Sequence, residues 1–229
     1  MRLKNGWPWS SLQNTGCRAN PALMTEALKL FHNTEWEHRR HLIECTALYP
    51  SIRYIRLPFD ERHDSFMESN DVSIKEISLL AFNDIKESFP TCKLHYSELI
   101  YFSEDGYIPW HIDRRKKHYL GTKIMLLLEN EEVDYYFTNW NKTVPLDTIF
   151  LDETEHISDN PNDYIKLRMN VGDYYVYNHR IPHMTKNLSG KIRATLMLEL
   201  VPTDADLTNG SDYCFVYPEE LDSLAPPIL

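Results

Sequence analysis

Apolar positions recur at helical spacing in the first part of the chain. Asn20-Pro21 resembles a helix start, with a capping residue followed by proline at the first helical position. The apolar side chains that follow share one helical face: Leu23, Ala27, Leu30 and Phe31. The pattern predicts a helix over about residues 21–33.

A second helical pattern follows a short alternating segment, Arg53–Leu57, which predicts a strand. Five apolar residues then recur at helical spacing: Ile74, Ile77, Leu80, Ala81 and Ile85. They predict a helix over about residues 73–87, which Pro90 prevents from continuing. By contrast, residues 1–20 show no clear period, and we interpret them as an arm lying on the domain.

From about residue 93 the pattern changes to short β-prone segments separated by turn residues. The predicted strands are Lys93–Phe102, Tyr107–Asp113, Thr122–Leu128, Tyr135–Phe137, Thr148–Leu151, Ile165–Met169, Tyr174–Tyr177, His183–Asn187 and Arg193–Val201. Thr122–Leu128 is apolar enough to be buried on both faces. The series predicts a mainly β fold, a barrel or double-sheet jelly roll, with the two helices covering one sheet.

At 229 residues the chain is most simply one domain: an N-terminal arm and helices over 1–92, a β core over 93–202 and a tail over 203–229. A net charge of −10 makes a nucleic acid partner unfavourable. The four cysteines are scattered, which suits neither a zinc ribbon nor a disulfide framework. Without a membrane-length apolar run or a secretory pattern, we expect a cytoplasmic protein that does not enter membranes.

Candidate chemistry begins with His111 and Asp113, which share a face if their segment is extended. One imidazole and one carboxylate are two of the three ligands of a facial triad for non-haem Fe(II). His179 and His183 are the candidates for the third ligand. His183 opens a predicted strand, whereas His179 precedes Arg180 in a loop that suits substrate contact or solvent better.

An arginine follows the third-ligand candidate on the next predicted strand. A turn at Leu188-Ser189-Gly190 predicts that His183–Asn187 and residues 192–198 form a hairpin. In a register with both inner faces together, Arg193 and Thr195 would share a cavity with His183. A buried guanidinium is costly unless it meets an anion, and its planar fork suits a carboxylate.

Together, His111-x-Asp113, His183 and Arg193-x-Thr195 resemble the signature of the Fe(II)- and 2-oxoglutarate-dependent dioxygenases, over about residues 94–202. The resemblance implies a double-stranded β-helix, a cupin-like jelly roll. Within that superfamily, the segment from Pro182 to Asn187 looks most like the aspartyl/asparaginyl β-hydroxylase and cis-proline hydroxylase branch. Asp113 departs from that branch, many of whose members lack the carboxylate ligand.

The resemblance implies that His111, Asp113 and His183 bind the metal and serve as the catalytic residues. Arg193, with Thr195, would bind the far carboxylate of 2-oxoglutarate, while Tyr96 or Tyr101 could reach either acid group. Fe(II), 2-oxoglutarate and O2 are then required, and succinate and CO2 are released. The implied reaction is hydroxylation of an unactivated C–H bond in an amino acid, free or within a peptide or protein.

Three questions stay open from the sequence. The basic run Arg114–His118 would attract an anionic substrate, whereas ten acidic residues against one basic residue over 129–163 would attract a cationic one. Desaturation by the same oxidant is an alternative to hydroxylation. A non-enzymatic, cupin-type small-acid binder or metal-dependent sensor is the alternative from another class.

Overall fold

The structure, a computed structural model, describes ten stretches of the chain. They are residues 12–38, 40–41, 52–58, 72–104, 106–111, 122–130, 133–138, 164–177, 183–187 and 189–203. Several sequence predictions fall outside them, namely the strand Thr148–Leu151, the basic run Arg114–His118, the acidic segment over 139–163 and the tail from residue 204.

Two α-helices, two single-turn 3-10 helices and eleven strands make up the described fold. The helices are α1 (Pro21–Asn33) and α2 (Val72–Ile85). The first six strands are β1 (Leu12–Arg18), β2 (Arg40–His41), β3 (Ile52–Pro58), β4 (Cys92–Phe102), β5 (Tyr107–His111) and β6 (Thr122–Glu129). The remaining five are β7 (Val133–Thr138), β8 (Tyr164–Leu167), β9 (Asp173–Tyr177), β10 (His183–Asn187) and β11 (Arg193–Pro202).

The strands form two antiparallel sheets. The major sheet has seven strands in the order β1-β9-β6-β11-β4-β3-β2, and the minor sheet has four in the order β5-β10-β7-β8. Consecutive strands alternate between the sheets along much of the core, which is the arrangement of a double-stranded β-helix. The predicted mainly β, jelly-roll fold is confirmed.

Helices α1 and α2 cover the outer face of the major sheet, as the sequence predicted. Asn20 caps α1 by accepting a hydrogen bond from the Ala22 backbone N–H, and Pro21 occupies its first turn. The buried side of α1 consists of Leu23, Ala27 and Phe31. These side chains join α2 and the outward residues of the major sheet in the larger of two main apolar clusters. The smaller cluster lies inside the barrel.

Two sequence predictions about strands are corrected. The predicted arm contains β1 over residues 12–18, which adds an edge strand to the major sheet by pairing with β9. This segment is polar and contains a glycine, so its own sequence carries no strand period, and its conformation comes from its partner. The predicted hairpin of β10 and β11 is also wrong, because β10 belongs to the minor sheet and β11 to the major sheet.

A hydrogen-bonded group fastens α2 to the major sheet. The fully buried Tyr174 donates from its hydroxyl to Asp84 Oδ2 at 3.1 Å, and the same oxygen accepts from the Asn20 backbone N–H. Burial, and secondarily the Asp84 carboxylate, raise the pKa of the Tyr174 phenol well above its ordinary range. The neutral phenol is therefore part of what stabilises the packing of α2.

This group predicts a specific alkaline sensitivity. Because the folded-state pKa of Tyr174 lies above its unfolded value near 10, its stabilisation is complete below about pH 10 and is lost as pH rises further. We expect Tyr174→Phe to lower the free energy of unfolding by about 1 kcal/mol at pH 8 and to reduce its decline between pH 9.5 and 11. Urea unfolding at several pH values measures both. An unchanged alkaline decline, as expected for the control Tyr136→Phe, would contradict this role.

No helix within the described ranges combines the length and the apolar character needed to cross a membrane.

Candidate functional site

The turn between β10 and β11 sets the positions of the predicted site residues along the barrel. Asn187, at the end of β10, donates from Nδ2 to the carbonyls of Lys191 and Ser103, each at 2.6 Å. Its Oδ1 accepts from the backbone N–H and the hydroxyl of Ser189. The Asn187 side chain therefore stabilises the turn between β10 and β11. The end of β10 and the start of β11 consequently lie at the same end of the barrel.

His183 lies one strand step further into the barrel than Thr185. Along β10, Asn187, Thr185 and His183 point to one face at steps of about 6.8 Å, and all three are buried. On the opposite sheet, Arg193, Thr195, Met197 and Glu199 follow the same alternation in the opposite chain direction. An Arg193 Nη1 to Thr185 Oγ1 distance of 3.4 Å shows that these two faces meet in the barrel interior.

His111 is brought directly opposite His183. The two residues are Cα partners across the β5–β10 pair, whereas Thr185 is the partner of Ile108. Three residues on β5 therefore span two on β10, which is a bulge around Pro109 and Trp110. The bulge puts positions 108 and 111 on the same face of the minor sheet, although strict alternation would separate them. Proline suits such a position because it has no backbone N–H to donate.

The structure describes two of the three predicted metal ligands. It includes His183 with its side chain and His111 by its backbone position, whereas Asp113 and the competing His179 lie outside the described residues. Within the described part of the chain, no three His, Cys, Asp or Glu side chains are grouped closely enough to hold a metal. The observed juxtaposition is thus that of the two histidine positions.

Arg193 lies buried between two aromatic rings. Its guanidinium carbon is 4.6 Å from the ring centroid of Tyr135 and 5.3 Å from that of Phe102. Phe102 is its Cα partner on β4, and Tyr135 reaches it from β7, where it is the partner of Thr185. The two π faces stabilise the cation and fix the plane of its donors. Arg193 is thus held in one orientation by both sheets.

Around this guanidinium, polar atoms are buried without partners. Among the described residues, Arg193 Nε, Tyr135 Oη and Thr195 Oγ1 make no hydrogen bond. Burial lowers the pKa of Arg193 to about 9, which expresses the cost of a charge taken out of water. A carboxylate bound here would accept hydrogen bonds from several of these donors and would compensate the buried positive charge. The residues present therefore fit the far carboxylate of a dicarboxylic acid.

The distance between Arg193 and the histidine positions also fits a dicarboxylic acid. Thr185, which contacts Arg193, and His183 are two residues apart on β10, a distance of about 6.8 Å. That is comparable to the length of a five-carbon dicarboxylate. One end of such an acid could lie at the histidine positions while the other end meets Arg193. Thr195 follows Arg193 by one strand step on the same interior face of β11.

The structure does not bring Tyr101 into this site. Tyr101 is the Cα partner of Ala194, on the opposite face of β4 from Phe102. Its ring stacks on Trp36 at 5.4 Å and on Phe31 at 6.0 Å, beneath α1. The predicted cosubstrate role of Tyr101 is therefore corrected, because alternation along a strand sends neighbouring side chains to opposite faces.

Tyr135 is the site residue that sequence reasoning missed. The segment Tyr135-Tyr136-Phe137 predicted a strand, but nothing in it identified which tyrosine faces inward. Pairing of β7 with β10 decides this, since Tyr135 lies opposite the inward Thr185 and Tyr136 opposite Met184. Tyr96, the other tyrosine considered, is on the interior face but donates from its hydroxyl to Glu98, several strand steps from Arg193.

Gly106 leaves the space that the Phe102 ring needs. A Cβ at residue 106 would lie 2.5 Å from the Phe102 ring. The Gly106 carbonyl also accepts from the Asn187 backbone N–H at 2.8 Å. The glycine thereby joins the β10–β11 turn to the aromatic ring that supports Arg193.

The two sheets define the class of fold as a double-stranded β-helix, with two paired histidine positions on the minor sheet and a buried arginine in the interior. Solved structures with a similar overall fold include enzymes that bind or depend on 2-oxoglutarate. The carbocyclase SnoK from nogalamycin biosynthesis is 13% identical, with 90% of this chain and 84% of that chain covered at a TM-score of 0.56.

Two further structures show the same likeness. HygX from Streptomyces hygroscopicus, solved with nickel, 2-oxoglutarate and hygromycin B, is 13% identical, covers 85% of this chain and 84% of that chain, and has a TM-score of 0.53. A prolyl hydroxylase from Trichoplax adhaerens was solved in complex with a hypoxia inducible factor peptide fragment. It is 12% identical, with 85% of this chain and 84% of that chain covered at a TM-score of 0.52. No family profile matches the sequence, and neither does any curated protein sequence. At these identities the likeness establishes the fold.

Proposed function

We propose that the protein is an Fe(II)- and 2-oxoglutarate-dependent oxygenase. The observation that carries this proposal is the buried Arg193, held between Phe102 and Tyr135 beside unsatisfied donors and one strand step from the level of His183. His111, Asp113 and His183 would hold the iron, the first and last at directly opposed strand positions. The likeness in fold to enzymes that use the same cosubstrate supports the assignment.

The residues around Arg193 each have a role in this proposed function. Arg193, Tyr135 and Thr195 bind and orient the far carboxylate of 2-oxoglutarate, and the rings of Phe102 and Tyr135 exclude water from that interaction. Thr185 positions Arg193 through Nη1. With iron, 2-oxoglutarate and O2 bound, the site would supply an oxidant able to attack an unactivated C–H bond, with release of succinate and CO2.

The substrate is a small molecule or a peptide, and hydroxylation of an amino acid is the finer proposal. HygX binds hygromycin B and the prolyl hydroxylase binds a peptide fragment, so this fold accommodates either kind of ligand. The resemblance to the aspartyl/asparaginyl β-hydroxylase and cis-proline hydroxylase branch stays a prediction. A purely structural or sensory cupin does not require a buried arginine with free donors one step from the histidine level, so that alternative is not favoured.

Anaerobic addition of Fe(II) and then 2-oxoglutarate tests the proposal. We expect a weak visible metal-to-ligand charge-transfer band in the wild-type protein, because the cosubstrate would chelate the iron. On admission of O2, 2-oxoglutarate should be converted to succinate. His111→Ala should abolish the band, whereas Lys29→Ala, an exposed substitution on α1, should leave it intact. A folded, iron-loaded protein with neither band nor succinate would refute the assignment.

A further inference from the structure

A group of buried charged residues lies inside the barrel beyond the histidine level. Glu98, Lys123 and Glu199, together with Tyr96, are each at least nine-tenths buried. Glu199 lies opposite Tyr96 on β4 and opposite Lys123 on β6, and Met197 lies opposite Glu98. We name these four side chains, Tyr96, Glu98, Lys123 and Glu199, the charged wall.

The strand register places the charged wall on the substrate side of the metal positions. Starting from Arg193, the interior face of β11 presents Thr195 at the level of His183, then Met197, and then Glu199. Met197 and Glu199 are thus one and two strand steps, about 7 and 14 Å, beyond that level. Since 2-oxoglutarate would extend from the histidines toward Arg193, the opposite direction is left for the molecule that is oxidised.

Stability alone does not account for these charges. At the same levels, the outer face of the major sheet carries apolar side chains such as Leu198, Leu200 and Ile124, together with the uncharged hydroxyl of Ser97. Apolar residues in place of a buried ion pair are often neutral or stabilising, because desolvation cancels the attraction between the charges. The charges are confined to the interior face, next to Met125, Met197 and Tyr175 of the inner apolar cluster. Their position therefore points to ligand recognition.

The hydroxyl of Thr195 lies between the charged wall and Arg193. Thr195 is buried, and its Oγ1 has no hydrogen-bond partner among the described residues. It lies on the same interior face, two residues before Met197. A polar ligand that reached from the charged wall toward the histidine level, or the cosubstrate from the other side, would satisfy this hydroxyl.

We propose that the charged wall binds the zwitterionic head group of a free α-amino acid. This inference rests on the proposed oxygenase function and names the substrate class of the same site. Lys123 would bind the substrate carboxylate, and Glu98 and Glu199 would bind its ammonium group. Tyr96 orients Glu98 by donating to its Oε1.

A free amino acid fits this wall better than a residue within a peptide. The wall has both signs of charge within two strand steps, and a free head group presents both signs within a few bonds. An internal peptide residue presents neutral amides instead, so it would form fewer charge-assisted hydrogen bonds with these side chains. The side chain of a bound amino acid could then extend past Met125 and Met197 toward the histidine level.

The test compares matched probes in the succinate assay. Each proteinogenic L-amino acid is added at equal concentration, alongside its N-acetyl amide, which has the same side chain without the head-group charges. We expect at least one free amino acid to stimulate succinate formation and its N-acetyl amide not to do so. The inference would be overturned if the N-acetyl amide stimulated succinate formation to the same extent as the free amino acid. It would also be overturned if no free amino acid stimulated succinate formation.

Substitutions in the charged wall provide the second arm. For the stimulating amino acid, Glu98→Gln and Lys123→Met should raise KM by about tenfold or more, since each removes a charge-assisted hydrogen bond. Tyr96→Phe, a milder change that retains the ring, should raise it several-fold. The exposed residues of α2 supply matched controls, Glu76→Gln and Lys75→Met, which should leave KM unchanged.

The dissociation constant of 2-oxoglutarate, taken from the anaerobic visible band, separates the two possible failures. In the charged-wall variants it should stay within about twofold of wild type, because these residues lie on the far side of the histidine level. Unchanged KM values in all three variants would overturn the amino acid assignment while leaving the oxygenase intact. Absence of the band in the wild-type protein would remove the oxygenase proposal, and the inference with it.

Discussion

Replacement of Arg193 by methionine is expected to abolish 2-oxoglutarate binding without destabilising the fold. The guanidinium is the only charged group among the described residues that the structure places between Tyr135 and Phe102. Loss of a buried partner of a carboxylate weakens binding by about a hundredfold or more. In the absence of the anion, however, the buried charge is a cost, as its lowered pKa indicates.

The stability of the Arg193→Met protein is therefore as informative as its affinity. Replacing a buried charge by an apolar side chain of similar length is often neutral or stabilising by about 1–4 kcal/mol. Ligand-linked stabilisation should disappear in parallel: 2-oxoglutarate at a hundred times its dissociation constant should stabilise the wild-type protein by about 2.7 kcal/mol, and the variant not at all. Thermal unfolding with and without 2-oxoglutarate and a metal measures both quantities.

Two substitutions control this experiment. Arg193→Lys retains a cation but not the planar fork, so its affinity for 2-oxoglutarate should lie between those of wild type and methionine. Arg53→Met removes an arginine from the outer face of β3, where Nη1 donates to the Trp36 carbonyl. That variant should lose stability and keep its affinity. If Arg193→Met lost stability and kept its affinity instead, the guanidinium would be a structural group.

Replacement of His183 by alanine is expected to eliminate iron binding and turnover while the protein stays folded. His183 is buried at the first position of β10, between His111 on β5 and Phe137 on β7. The backbone of residue 183 pairs with β5 and β7 independently of its side chain, so the strand pairing of the minor sheet should persist. Loss of one of three ligands from a facial site should reduce turnover to background.

Metal analysis after dialysis, the visible band and circular dichroism together measure this result. Wild-type protein should retain about one equivalent of iron, and His183→Ala should retain none with an unchanged far-ultraviolet spectrum. His32→Ala is the matched control, because His32 is an exposed histidine of α1 whose Nε2 lies 2.8 Å from Glu129. Retention of iron by His183→Ala would contradict its assignment as a ligand and turn attention to His179.

Local signals in the sequence were sufficient for both α-helices and for most of the described strands. The cap at Asn20 and the apolar spacing that follows it place α1 at the predicted residues 21–33. The predicted strand at Thr122–Leu128 is buried throughout residues 123–128. Both signals depend on residues close together in the chain, where backbone geometry fixes which side chains share a face. The same reasoning selected Arg193 and His183, which are buried on facing walls.

Non-local pairing decided what the sequence could not. The β10–β11 turn was recognised, but its strands enter different sheets, and only the alignment of those sheets places Thr185 against Arg193. One extra residue on β5 changes which positions face His183, and alternation counted along the sequence cannot detect such a bulge. Tyr101 was excluded and Tyr135 included for the same reason, because the face of a strand residue depends on register.

By itself, the sequence determined the β-rich class of fold, the two covering helices and the residue types suited to iron and a dicarboxylate. The tertiary structure decided which residues share a strand face and how far along the barrel each one lies. It places Arg193 beside Tyr135, His111 opposite His183, and the charged wall beyond them. The physical reason is that side-chain chemistry and helical or strand period are properties of short segments. The neighbours of a strand are instead fixed by hydrogen bonds to segments far away in the chain.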